Sequence, residues 1–437
     1  YDALFRQCGV QRASSIEEMF DVGKVLSTQR PPSSANLAIL TNAGGPAIMA
    51  ADACSALGLS LPSLDEKTVD RLREFLPPEA GMGNPVDMIA SATPESYRFC
   101  LEALLADPNI DSAIVILVAP PTVDPTETLE AVAEVAVATK GKPIIACLMG
   151  RLEQLGKTGP LRAANVPAYV YPESAARALA ALVERGKWLA KPRGKVDTFD
   201  VDRARARSIV SEGVKRGGGY LYDDEAYELL ELYGVPTVEG TRCITEEDAV
   251  QVAENLGLPV AMKVSSPRIV HKSDAGGVFL NLKSKLEVRG AYHQIQSSAA
   301  KFLGDSSSVG VLVQKMVGSG VETIIGMSTD PNLGALLMFG MGGIRVEVLK
   351  DVAFRLCPVT DVDAHEMVRE LKGFPLLTGF RGLEPANLEF LEEMIRRVSA
   401  LVSDFHEIAE LDVNPIMAFA DRARCKALDA RIRVLGS

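Results

Sequence analysis

Lys263 closes a short apolar run, Val260-Ala-Met-Lys263, and the polar loop that follows carries one histidine, His271, before closing on Gly276-Gly277. These residue types suit polyphosphate. A lysine supplies a point charge, and glycines let backbone N–H groups approach phosphate oxygens without side-chain obstruction. The histidine adds a nucleophile that can itself accept a phosphoryl group. The same residues equally describe a surface lysine, a polar loop and a hairpin glycine pair, and spacing alone leaves both readings open. His293, His365 and His406 fall in helical stretches without glycine-rich neighbours, and no role is assigned to them.

Three further constellations sit downstream. Val311-Leu-Val-Gln314-Lys-Met316-Val317 runs into a break at Gly318-Ser-Gly320 and then Glu322. A strand, a hinge and a carboxylate in that order could pair a base with hinge backbone and a ribose or amine with the acid; a plain hairpin is the simpler alternative. Glu410-Leu-Asp412-Val-Asn414-Pro415 and Ala427-Leu-Asp429 offer hard oxygen donors. Magnesium usually takes one or two such ligands from protein and the rest from phosphate and water, so Asn414 and Asp429 are candidate ligands. Acidic residues alternating on a strand edge are the competing explanation. Gly340-Met-Gly342-Gly343, with Glu347 and Lys350-Asp351 after it, is either another set of amides for a transferring phosphoryl group or a turn between strands.

These residues need elements to hold them, and the hydrophobic pattern supplies two kinds. In the first half, Leu37–Thr41, Asp111–Val118, Pro143–Met149 and Val166–Val170 are apolar throughout and alternate with helical stretches. Strands of that kind belong to a parallel sheet covered on both faces. Residues 21–190 are therefore expected to form a flavodoxin-like α/β domain. Asn42-Ala-Gly44-Gly45 is expected as a tight turn with Pro46 at the first helical position, and it joins Gly83-Asn84-Pro85-Val86-Asp87 as a loop at a strand end. Such loops bind ligands in α/β domains, although structural turns or a docking face would look the same. Lys191-Pro-Arg-Gly-Lys195 marks a linker, taken as 191–210. Beyond it, alternation and glycine turns predict largely antiparallel strands at Val260–Val264, Val278–Leu282, Val309–Lys315, Thr323–Met327, Leu336–Phe339 and Ala353–Leu356, with helices at Asp223–Tyr233, after Thr245, and around Asp361–Leu371 and Leu388–Asp404.

Bulk properties exclude several functions. The 437 residues suffice for two or three domains, and 47% hydrophobic with 24% charged residues is ordinary for a globular protein. The longest apolar run, Ser112–Ala119, is far short of the roughly 20 residues needed to span a bilayer, so no membrane partner is expected. A net charge of −11 disfavours nucleic acid, while small anions remain possible because local field governs their capture. Seven scattered cysteines without C-x-x-C spacing, three of them (Cys54, Cys100, Cys147) in apolar surroundings, fit a reducing, cytoplasmic compartment. The chain opens on Tyr1 inside a helical stretch, which suggests a piece of something longer.

In order, these segments resemble the ADP-forming acyl-CoA synthetases, relatives of succinyl-CoA synthetase. The resemblance rests on Leu40-Thr-Asn-Ala-Gly-Gly-Pro46, Gly83-Asn-Pro-Val-Asp87, Ser266-Pro-Arg-Ile-Val-His-Lys-Ser-Asp-Ala-Gly-Gly-Val278, Phe339-Gly-Met-Gly-Gly343, Lys350-Asp-Val-Ala-Phe354 and Glu410-Leu-Asp-Val-Asn-Pro415. It implies a flavodoxin-like domain followed by an α+β ATP-grasp domain of two subdomains over 211–437. It also implies the reaction acyl-CoA + ADP + phosphate ⇌ acid + CoA + ATP with magnesium. In that family a first histidine takes the phosphoryl group from an acyl phosphate and hands it to a second, whose position His271 matches. By the same resemblance Lys263 would stabilise transferring charge, Gly276 and Gly277 would meet phosphates, Gln314, Met316, Val317 and Glu322 would hold adenosine, and Asn414 and Asp429 the metal. The CoA-binding domain and the first-histidine segment of the family are absent, and residues 1–20 match the tail of that upstream region. Adenine nucleotide, phosphate, CoA and a small carboxylic acid are the implied ligands, CoA through the absent domain, and a homo- or hetero-oligomer is expected. Two other readings compete: the ligand-sensing, synthetase-like region of a protein lysine acetyltransferase, and a different ATP-grasp carboxylate ligase that would not need His271.

Overall fold

The computed structural model describes residues 1–120, 124–151, 153, 156–269, 271–304, 309–343, 350–382 and 384–436. They form two compact units, one within residues 2–191 and one from Pro192 to the C-terminal end.

In the first unit, β1 (Leu37–Thr41), β2 (Gly81–Met82), β3 (Val86–Asp87), β4 (Ser112–Val118), β5 (Ile144–Met149) and β6 (Ala168–Tyr169) make one sheet in the order β2-β3-β1-β4-β5-β6. Every pairing is parallel except the short β2–β3 edge. From β3 onward this is the flavodoxin order. Strand β1 shows why its sequence is continuously apolar. Leu37 and Ile39 enter one core with helices Gly44–Ala56 and Pro172–Ala190, while Ala38 and Leu40 enter the other with Pro94–Ala106. A period of two with both faces covered buries every position, and the one polar residue, Thr41, stands at the strand end with its hydroxyl hydrogen-bonded.

Three local boundaries need correction, and one of the open loop readings is decided. The helix after β1 begins at Gly44, so the two glycines are its first turn and Pro46 its third residue. The bend is made one step earlier, where Thr41 Oγ1 accepts from the Ala43 amide at 3.0 Å. Asn84 is committed to structure: its side chain accepts from Ile39 N and donates to the carbonyls of Leu37 and Pro62. The extended connection covers 192–202 only, because helix Arg203–Lys215, capped by Asp202, starts inside the stretch taken as linker. Helix Ile16–Thr28 likewise runs through the residue 20/21 boundary.

The second unit holds two antiparallel sheets. The strands are β7 (Gly219–Tyr220), β8 (Gly240–Cys243), β9 (Val260–Ser265), β10 (Val278–Leu282), β11 (Gly310–Lys315), β12 (Val321–Asp330), β13 (Gly334–Met341), β14 (Val352–Leu356), β15 (Ile408–Ala418), β16 (Lys426–Ala427) and β17 (Ala430–Val434). The smaller sheet runs β10-β9-β11-β8, and helices Glu246–Leu256 and Lys285–Leu303 cover it. The larger runs β14-β13-β12-β15-β17-β7, with β16 paired to β15. Its core gathers helices Arg203–Lys215, Asp223–Leu232, Asp361–Arg369 and Leu388–Asp404. Thr245 caps its helix as its residue type suggests, accepting from the Asp248 amide at 3.1 Å. Among the described residues no helix is long and apolar enough to cross a membrane. The cysteines are all free, and burial pushes Cys54, Cys100 and Cys147 up to about 12, as expected of small buried hydrophobes.

Candidate active site

A cavity of about 750 Å³ opens between the two sheets of the second unit. Its wall brings together Lys263, His271, Gln314, Met316, Val317, Glu322, Asn414 and Asp429, which the chain spreads over more than 160 residues. Lys263 is the fourth residue of β9 and faces inward because the strand alternates. Its Nζ donates to the Leu428 carbonyl at 2.7 Å. Burial lowers its pKa, and the neighbouring Lys272 ammonium adds to that, against the pull of Asp429 and Asp223. His271 is exposed on the loop after β9.

Gly276 and Gly277 do not line the cavity. The loop consumes their amides, Gly276 N donating to Ser273 O at 2.9 Å and Gly277 N to Lys272 O at 2.8 Å. Gly276 has φ +63°, and a Cβ on Gly277 would stand 2.4 Å from Val264 Cγ1. The pair closes a tight turn against the core and leaves no free N–H for phosphate. The second glycine set behaves alike: Gly342 N donates to Glu322 O at 2.7 Å. Asp351 accepts from the amides of Lys372 and Gly373, each at 2.7 Å, and so pins a loop. Glu347 lies outside the described residues.

The hinge keeps its polar backbone free. Among the described residues, neither Met316 nor Val317 spends its N–H or C=O on another residue. Gln314, almost fully buried in β11, donates to Tyr227 OH at 3.1 Å. Burial, reinforced by Asp429 and Asp223, keeps that phenol protonated far above its usual range, and it donates in turn to Leu428 O at 3.2 Å.

The oxygen donors have a definite orientation. Asp429, between β16 and β17, uses Oδ1 for Lys272 Nζ at 2.7 Å and for the Ala430 amide at 3.0 Å. Its Oδ2 has no hydrogen-bond partner among the described residues. Burial works to raise this carboxyl, but the ammonium groups of Lys272 and Lys263 outweigh it and hold the group below its ordinary value. Asn414 lies inside β15, and its exposed side chain makes no hydrogen bond among the described residues. Two free oxygen donors on one wall fit magnesium, which would draw its other ligands from phosphate and water.

Four further groups complete this neighbourhood. Lys272 is buried, with 5% of its side chain exposed, and pairs with both Asp223 and Asp429. Asp223 also accepts from Ser265 Oγ. Asp412 and Arg431 are register partners across β15 and β17 and line the wall with His271. Burial pushes the Asp412 carboxyl up to about 6, against the pull of Arg431 and with Asp429 and Glu410 adding to it. Asp412 stands two residues before Asn414 in the Glu410–Pro415 motif, where strand alternation could have flagged it; nothing local marks Lys272 as a buried cation. His271, Asp412 and Arg431 also border a second cavity of about 440 Å³.

Two antiparallel sheets gripping a cleft with a lysine, a free hinge and paired oxygen donors define an ATP-grasp protein. A family model for the ATP-grasp domain matches residues 212–434, and one for the Ligase-CoA domain matches residues 37–194. The chain is 40% identical over 434 residues to 4-hydroxybutyrate–CoA ligase (ADP-forming) of Nitrosopumilus maritimus, spanning 99% of this chain and 62% of that one. It is 45% identical over 229 residues to the beta subunit of acetate–CoA ligase (ADP-forming) I of Pyrococcus furiosus, covering 52% of this chain and 97% of that subunit. Among solved structures, the dinucleotide forming acetyl-coenzyme A synthetase 1 of Ca. Korarchaeum cryptofilum, in complex with coenzyme A, Ca-AMPCP and HgCl+, superposes with a TM-score of 0.50. Identity there is 39%, over 52% of this chain and 99% of that one. The chain belongs to the ADP-forming acyl-CoA ligase family. The lysine acetyltransferase reading gains no support from these relatives.

Proposed function

We propose that this chain is the nucleotide-binding, phosphoryl-transferring part of an ADP-forming acyl-CoA synthetase, with His271 exchanging a phosphoryl group with an adenine nucleotide. The convergence of Lys263, His271, Glu322, Asn414 and Asp429 on one cavity carries this reading. In the ATP-consuming direction an imidazole nitrogen of His271 attacks the terminal phosphorus. An N–P bond forms, the bridging P–O bond breaks, and ADP leaves with the electron pair. The reverse step returns the phosphoryl group to ADP. Lys263 neutralises charge on the transferring group, which matters because such transfers rest mainly on positioning and electrostatics. Asn414 and Asp429 would hold magnesium, whose double charge screens the phosphates when bound. The free backbone of Met316 and Val317 would meet adenine, and Glu322 the ribose.

The second cavity, on which His271 also opens, would admit the group that exchanges phosphate with this histidine. Acid, CoA and phosphate enter the complete reaction, acid + CoA + ATP ⇌ acyl-CoA + ADP + phosphate. Because the chain spans 62% of the Nitrosopumilus ligase, the CoA-handling part would come from a further segment or a partner chain. Incubation with γ-labelled ATP and magnesium should give an acid-labile, base-stable phosphoprotein, and His271→Ala should abolish it. Undiminished label in the variant would remove His271 from the reaction.

A further inference from the structure

Lys272 follows His271 directly, yet it is buried where His271 is exposed. Its ammonium bridges Asp223, at the start of helix Asp223–Leu232, and Asp429, 49 and 157 residues away in sequence. Bonded to one nitrogen, the two carboxylates stand side by side, and each is mostly buried, with 8% and 14% of the side chain exposed. Without the ammonium they would be a dicarboxylate pair, the hard-oxygen arrangement that divalent cations favour. With Lys272 and Lys263 both present, the two ammonium groups balance the two carboxylates on this wall, and a free cation gains nothing by entering.

The orientation of Asp429 extends the point. Lys272 holds Oδ1, while Oδ2 stays without a hydrogen-bond partner among the described residues on a wall that also carries Asn414. We propose that Lys272 is an internal counter-cation that denies Asp429 to a free divalent ion, so that metal is taken up only together with the phosphates of a nucleotide. Phosphate oxygens bring the negative charge that the wall lacks and the ligands that two protein donors leave open. Asp223 is then a positioning residue, holding Lys272 in place from a helix that does not line the cavity. This inference rests on the nucleotide-and-metal reading of the cavity.

Manganese binding to the whole chain, followed by electron paramagnetic resonance, tests it without reference to turnover. The unmodified chain should bind Mn2+ weakly alone and far more tightly with ADP. Lys272→Met should bind Mn2+ without nucleotide at least tenfold more tightly than the unmodified chain. The double variant Lys272→Met/Asp223→Asn should lose that gain, and Lys272→Arg should behave as unmodified. Equal nucleotide-free Mn2+ affinity in Lys272→Met and the unmodified chain overturns the role of Lys272. Should Lys272→Met fail to fold, Asp223→Asn decides: metal-free ADP should bind several-fold more tightly, and Mn2+ should add correspondingly less. An unchanged metal dependence there overturns the proposal. Failure of the unmodified chain to bind Mn2+ with ADP at all would instead sink the nucleotide reading of the cavity.

Discussion

At the scale of single residues, the site is a balance of desolvation against charge. Lys272 and Asp429 each lose hydration and recover through one another, whereas Lys263 has a carbonyl in place of a carboxylate and is shifted down. With no bonded carboxylate, the Lys263 ammonium stays available for an incoming phosphate. Asp412 is the member whose burial outweighs the pull of its cation, Arg431. Its carboxyl is raised from 3.8 to about 6 by burial, so the charged form is penalised in the folded state. The sign follows: the penalty is full above pH 6 and is relieved as pH falls through 6 towards 4. Asp412→Asn should therefore raise stability by on the order of 1–3 kcal/mol at pH 8, with the gain gone near pH 4. Urea denaturation at the two pH values measures it, and an equal difference at both would refute the assignment to Asp412.

At the scale of elements, the loop between β9 and β10 decides where His271 stands. Val278 at the start of β10 pairs with Lys263 inside β9, so the chain leaving Ser265 must return to the same sheet edge. Gly276 supplies the positive φ and Gly277 the close approach to Val264. The sequence marked both glycines, but for a different duty: spacing cannot tell an amide offered to phosphate from one satisfied by a carbonyl three or five residues back. Gly277→Ala should cost about 1–3 kcal/mol by overpacking the β9 core and should reduce labelling of His271 as the loop shifts. A lower urea midpoint checks the first effect; an unchanged midpoint would mean that the Val264 contact yields freely.

At the scale of the whole molecule, two units with separate cores should unfold as separate cooperative steps. Scanning calorimetry should show two transitions, and saturating magnesium–ADP should raise only the one belonging to the unit beginning at Pro192. At a hundredfold excess over Kd that rise corresponds to about 2.7 kcal/mol; displacement of both transitions would show that nucleotide binding couples the units. What the sequence determined alone is what neighbours along the chain can encode. The continuously apolar strands demanded a sheet covered on both faces, the alternating ones an antiparallel half, and Lys263, His271, Asn414 and Asp429 were recognisable by residue type within short motifs. Tertiary structure decided which charges share one desolvated volume. Lys272 reads as an ordinary loop lysine until Asp223 and Asp429 close around it, because burial and charge pairing depend on packing between segments far apart in the chain and leave no local periodicity behind.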